Sequence, residues 1–243
     1  MVPNLYFYLG DIFMVHLHHY NKEDKLLVAV DCIIFGFDET LKILMVRRNF
    51  EPERGQWSLI GGFVRQEEDL DQAAARILKA LTGIDHLYME QLYAFSKVDR
   101  DPAERTISVA YFSLIPLKPS LTKVLDGAAC RWFEIQQIPK TIFDHGLMIE
   151  DALKRLRRRA THRPIGFELL PEKFTMKMLQ DLYEAILDKT LDKRNFINKI
   201  NSFGILERLD EKDKSGSKKG AFLYRFNEEQ YREKLKEGLV FKI

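Results

Sequence analysis

Trp57-Ser-Leu-Ile-Gly-Gly-Phe-Val64, then Arg65-Gln-Glu-Glu-Asp69, then Leu70-Asp-Gln-Ala-Ala-Ala-Arg-Ile-Leu-Lys-Ala-Leu-Thr-Gly83-Ile84, is the stretch on which the fold turns. Its first eight residues read as a strand broken by the Gly61-Gly62 pair. Leu70, Ala73, Ala74, Ile77, Leu78 and Leu81 then recur at helical spacing, and Gly83 stands where a left-handed glycine stops a helix. Working outward, residues 28–37 and 42–47 read as buried strands around an Asp38-Glu39-Thr40 turn. Further strands are expected at 89–97, 106–114 and 131–135. Strands mixed with helices without strict alternation predict an α/β sandwich in residues 1–143.

The composition is that of a globular protein, 243 residues with 46% apolar and 30% charged residues and a net charge of +2. Cys32 and Cys130 each lie inside an apolar run, which argues against a disulfide framework or a zinc site. The N-terminus has no basic region or small-residue cleavage site, and no apolar run approaches the roughly 20 residues a membrane span needs. The expectation is a reduced, cytoplasmic protein without a membrane partner. Charge is uneven: residues 161–243 hold 17 basic and 14 acidic residues, and ten of those basic residues fall between Lys189 and Arg225. A second cluster, Lys154, Arg155, Arg157, Arg158, Arg159 and Arg163, precedes them. Charge alone does not make a nucleic-acid site, and a solvated helix face is the ordinary account of such a run.

Residues 144–243 read as a winged helix-turn-helix. Ile149, Ala152, Leu153 and Leu156 form a stripe on a basic helix, and residues 167–171 read as a short extended piece ended by Pro171. Leu179, Leu182, Tyr183, Ile186 and Leu187 mark a second helix capped by Thr175. A third helix, capped by Asp192, buries Phe196, Ile200 and Phe203 and stops at Gly204. Its other face carries Lys193, Arg194, Asn195, Asn198, Lys199, Asn201 and Ser202. A solvated face favours Glu and Lys, whereas Arg and Asn suit guanine and adenine edges in a major groove. A strand at 205–209, a polar turn at 210–220 with Lys218 and Lys219, and a strand at 221–226 complete the wing. Duplex DNA is the expected partner, with Lys193, Arg194, Asn195, Asn198, Lys199, Lys218 and Lys219 as its contacts. Winged helices that bind only proteins keep an adaptor reading open.

Gly62, Glu68, Arg76, Leu78, Gly83 and Ile84 stand in register with the Nudix box, and the segment resembles that motif. The resemblance implies a Nudix-like α/β/α sandwich, whose hydrolases use paired glutamates on the helix to hold magnesium against a diphosphate. Magnesium requires oxygen ligands. Here Ala80 and Leu81 occupy those two positions and Ile77 replaces a third glutamate. No catalytic residue, metal or cofactor is therefore assigned, and diphosphate hydrolysis is not expected. A pocket kept without catalysis points to sensing. Its candidate residues are Asp31, costly in an apolar strand unless paired, with Arg47, Glu68, Lys97 and Arg105 as polar groups and Trp57 and Phe63 as apolar walls. Asp31 equally suits a turn cap or an arginine partner, and Trp57 equally suits the core.

Most of the chain is similar to the Nudix-related transcriptional regulators of the NrtR family. The likeness includes Asp99-Arg-Asp-Pro102 with Ser108-Val-Ala-Tyr111, Asp144-His145, Pro164-Ile-Gly-Phe-Glu-Leu-Leu-Pro171, and Leu191-Asp-Lys-Arg-Asn-Phe196. It implies a homodimeric repressor that reads a palindromic operator and is released by a small effector. Because a metal-free pocket suffices for a free pentose, L-arabinose, the effector of a Bacteroidetes branch, is the first expectation. An ADP-ribose-responsive regulator of NAD metabolism and an active hydrolase with a divergent metal site are the alternatives.

Overall fold

The computed structural model describes residues 23–117, 129–215 and 218–243. Strand β1 (Leu27–Phe37) lies at the centre of a seven-stranded sheet. It runs parallel to β6 (Thr106–Pro116) along its full length. Its other edge is shared: Ile34–Phe37 pair with β2 (Leu41–Arg47), while Ala29–Cys32 pair with β4 (Ile60–Phe63). Strand β3 (Trp57–Ser58) and strand β7 (Cys130–Glu134) both add to β2, and β5 (Glu90–Phe95) adds to β6. β2 and β4 thus fork away from one strand, and the site described below lies over that fork.

The apolar run of β1, interrupted only by Asp31, is explained by cover on both sides. Val30, Cys32 and Ile34 meet Ala73, Ala74, Ile77 and Leu78 of helix α1 (Leu70–Thr82). Ile33, Phe35 and Phe37 share the opposite core with Met148, Ile149 and Ala152 of helix α2 (His145–His162). Full burial of such side chains contributes about 1.5–3 kcal/mol each. Asp69 caps α1 in a reciprocal pair with Gln72, and Gly83 ends it at φ 72°. Cys32 and Cys130 are both buried and free.

Helix α2 buries the expected stripe of Ile149, Ala152, Leu153 and Leu156. Three members of its basic cluster bond within the protein. Arg159 pairs with Glu90 of β5, and Lys154 with Asp151. Arg157 donates to the Ile186 carbonyl at 3.2 Å and to Asp188 at 3.0 Å. One apolar cluster runs from Ile33 and Met45 in the sheet through Leu156 to Leu179, Tyr183 and Phe196. Residues 144–162 therefore pack against both the sheet and the C-terminal helices.

Residues 167–169 form a 3-10 turn rather than the extended piece expected. Gly166 enters at φ 84°, and its carbonyl accepts from the Leu169 amide at 2.9 Å. Short strand β8 (Phe174–Thr175) leads into α3 (Met176–Leu187), capped by Thr175. Asp192 caps α4 (Lys193–Ser202), and Gly204 follows at φ 63°. Strands β9 (Leu206–Asp213) and β10 (Ala221–Phe226) pair antiparallel, with β8 on the outer edge of β10. β9 extends to Asp213, four residues into the stretch expected as turn. Helix α5 (Glu228–Lys236), absent from the sequence expectations, follows. Phe241 beyond it packs on Phe203 with ring centroids 4.4 Å apart, and the Ile243 amide donates to the Thr161 carbonyl at 3.1 Å. The architecture is α+β: a Nudix-type sandwich followed by a winged helix. No helix among the described residues is long and apolar enough to cross a membrane.

Candidate functional site

Asp31 occupies an odd-numbered position of β1, so its side chain points to the face that α2 covers. It is 5% exposed, and burial of a carboxylate demands partners. Ser108, on the neighbouring β6, donates to its Oδ2 at 2.5 Å. Arg100 Nη2 lies 3.8 Å from the same oxygen while the guanidinium forks onto Asp144, Nε to Oδ2 at 3.0 Å and Nη2 to Oδ1 at 2.8 Å. The Leu59 amide donates to His145 Nδ1 at 3.1 Å, so the neutral ring carries its proton on Nε2, 3.7 Å from Asp31 Oδ1. Burial pushes the His145 pKa below the ordinary imidazole value, against an opposing pull from Asp31. Gly61 completes the packing, because a Cβ there would lie 2.1 Å from Asp31 Oδ1.

These groups floor a pocket whose rim is formed by Arg48, Phe50, Phe63, Asp101, Thr106 and Phe143. The Arg48 guanidinium sits 3.8 Å above the Phe50 ring and 5.5 Å from that of Phe143. Its Nε donates to the Pro52 carbonyl at 2.6 Å. Aromatic walls, two guanidiniums and a buried carboxylate make a site for a polar small molecule with hydroxyl or anionic groups.

Of the residues singled out from the sequence, Asp31 and Phe63 line this pocket. Arg47 and Trp57 line a neighbouring groove with Arg54 and Arg131. Lys97 and Arg105 line neither. The Arg105 guanidinium holds the β5–β6 loop by donating to the carbonyls of Ser96, Lys97 and Thr106. Glu68 is likewise outside: it accepts from Arg76 at 2.8 and 2.5 Å and from the Arg65 amide at 2.8 Å. The Arg76 hydrogen bonds are the main reason its pKa is drawn down to about 2. Sequence reasoning did not assign Arg48, Arg100, Asp144 or His145. The signal available was their position inside quoted motifs, Asp99-Arg-Asp-Pro102 and Asp144-His145, without any hint that these meet across the fold.

The magnesium of a Nudix hydrolase does not fit the residues of α1. Ile77 is buried beneath Gly62, whose added Cβ would lie 3.0 Å from Ile77 Cδ1. Ala80 and Leu81 are exposed and offer no oxygen, and Glu68 is committed to Arg76. Among the described residues, no three His, Cys, Asp or Glu side chains gather in a way that could hold a metal ion.

In the winged helix, Phe196, Ile200 and Phe203 are buried. Lys193, Arg194, Asn195, Asn198 and Lys199 are exposed along the opposite side of α4. At about 1.5 Å per residue a ten-residue helix is roughly 15 Å long, a rod that a major groove about 12 Å wide accepts. Lys218 and Lys219 are exposed at the wing tip.

A Nudix sandwich lacking its metal carboxylates, joined to a winged helix with a polar outer face, defines a class of DNA-binding regulators. Residues 25–152 match the NUDIX domain and residues 166–226 match the NrtR DNA-binding winged helix domain. The chain is 34% identical over 222 residues, 88% of each chain, to the ADPR responsive transcriptional repressor NtrR of Acinetobacter baylyi. It is 34% identical over 127 residues, 52% of this chain and 73% of the other, to an ADP-ribose pyrophosphatase of Methanocaldococcus jannaschii. The crystal structure of Shewanella oneidensis NrtR complexed with a 27mer DNA superposes with a TM-score of 0.70 at 27% identity, covering 84% of this chain and 95% of that one. The chain belongs to the NrtR family of Nudix-related transcriptional regulators.

Proposed function

We propose that this chain is a transcriptional repressor whose Asp31 pocket binds ADP-ribose and whose α4 reads an operator in the major groove. The observation that carries the DNA half is the exposed Arg194, Asn195, Asn198 and Lys199 face beside a basic wing. ADP-ribose replaces the pentose expected from the sequence, because the relative similar along most of the chain is an ADPR-responsive repressor. Genes of NAD metabolism are the corresponding targets. The protein acts as a homodimer on a palindromic site, since two-fold DNA readers match half-sites spaced by whole helical turns. Effector binding shifts the population toward a state that fits those half-sites poorly.

The Nudix half senses without hydrolysis, a reading supported by Ala80, Leu81 and the engaged Glu68. Fluorescence anisotropy on duplex DNA from upstream of the protein's own operon tests the function. Salt-dependent binding released by ADP-ribose is the expected result, with L-arabinose inert. Release by L-arabinose alone would restore the sugar reading, and absence of DNA binding would favour an adaptor.

A further inference from the structure

The groove that holds Arg47 and Trp57 adjoins the Asp31 pocket, and Arg48 lines both. Sheet register builds it. Arg47 lies opposite Trp57 on β3, and Met45 lies opposite Arg131 on β7, so these side chains share one face of the sheet. Arg54 enters from the β2–β3 loop, and among the described residues no carboxylate lines the groove. Trp57 is held edge-on against Phe133, ring centroids 4.8 Å apart, and is half-buried. Arg47 donates through Nε to the Gly55 carbonyl at 2.9 Å, which fixes the side chain. Arg54 and Arg131 make no ion pair among the described residues. Like charges gathered in one concavity repel one another, and a bound anion removes that cost. Guanidinium forks match phosphoryl oxygens two by two, and a partly exposed indole offers a stacking surface.

We infer that this groove is a phosphoryl-binding subsite, and that one extended ligand crosses Arg48 with its diphosphate among Arg47, Arg54 and Arg131 and its hydroxyl-bearing end toward Asp31. The effector is then a phosphorylated, nucleotide-like molecule and not a neutral sugar. The crossing rests on the proposed role of the Asp31 pocket; the phosphoryl preference of the groove rests on its arginines.

Calorimetric titration of the full-length protein with ADP-ribose, inorganic pyrophosphate and L-arabinose tests it, comparing wild type with Arg131→Ala and with Arg54→Gln/Arg131→Ala. Both exposed positions leave the core untouched, so DNA affinity without ligand stays at the wild-type value. Pyrophosphate and ADP-ribose are expected to bind wild type, each weakened roughly tenfold by loss of one charged hydrogen-bonding arginine and further in the double variant. ADP-ribose binding equally to wild type and the double variant would overturn the subsite and leave the effector assignment standing. Arginine-dependent pyrophosphate binding without ADP-ribose binding would keep the groove and remove the effector. Failure of both anions to bind wild type would overturn the subsite, as would L-arabinose binding that the variants leave unchanged.

Discussion

The two halves of the molecule treat charge in opposite ways. In the Nudix half, the buried Asp31 and Arg100 and the half-buried Asp144 are satisfied by one another, by Ser108 and by His145. In the winged helix, Lys193, Arg194, Lys199, Lys218 and Lys219 stand in solvent and make no ion pair among the described residues. A buried, paired network seldom adds stability over an apolar core, but it holds polar atoms in fixed places, as a small-molecule pocket requires. Exposed cations without partners contribute little to a fold and are available to a polyanion. The same contrast separates two helices with matching caps. Asp69 of α1 and Asp192 of α4 each accept from the amide three residues on, yet α1 presents Ala80 and Leu81 where α4 presents Arg194 and Asn198.

Arg100→Ala strands the buried Asp31 and the half-buried Asp144 and should lower unfolding stability by about 3–5 kcal/mol in a urea titration; a loss under 1 kcal/mol would show that the network is hydrated rather than buried. Arg194→Ala and Asn198→Ala should each weaken operator binding by about 1–3 kcal/mol while leaving the melting temperature and ADP-ribose affinity unchanged. A matching loss in ligand binding would contradict the separation of roles.

His145 makes the Nudix half pH-sensitive. Its pKa is lower folded than in the unfolded chain, where it lies near 6.5, so the unfolded state takes up a proton first. Stability is complete above that value and declines as pH falls below it, by at most about 1.4 kcal/mol per pH unit. His145→Gln should flatten this part of the curve. Lys218→Ala/Lys219→Ala should reduce the salt slope of DNA binding by about 0.9 for each lost phosphate contact, regardless of sequence. The smallest effect is expected from Ala80→Glu/Leu81→Glu. With Ile77 in place and Glu68 held by Arg76, the double variant should still release no AMP from ADP-ribose with magnesium, and measurable turnover would show that two carboxylates suffice.

What the sequence made legible was local. The 3.6-residue stripe of α1, its Gly83 stop and the buried Phe196, Ile200 and Phe203 of α4 follow from periodicity and capping within a dozen residues. Asp31 stood out because a carboxylate in an apolar strand needs an explanation. Its partners did not, because Arg100, Ser108 and His145 come from distant segments, and Arg100 meets Asp144 across 44 residues. The arginines of the groove were hidden for a related reason: Arg131 reaches Trp57 only through the pairing of β7 and β3 on opposite edges of β2. Residues 167–169 misled because the stretch ending at Pro171 read as extended chain, while Gly166 at positive φ started a turn. Helix α5 carries almost no apolar stripe and shows itself only through its Asn227 cap.

The central claim is that one chain joins an unreactive Nudix sensor to a DNA reader. It is tested most directly by following operator anisotropy and ADP-ribose integrity in the same magnesium-containing sample. The expected result is release of DNA as ADP-ribose is added while the nucleotide stays intact. DNA that stays bound at saturating ADP-ribose, or nucleotide converted to AMP, would contradict it.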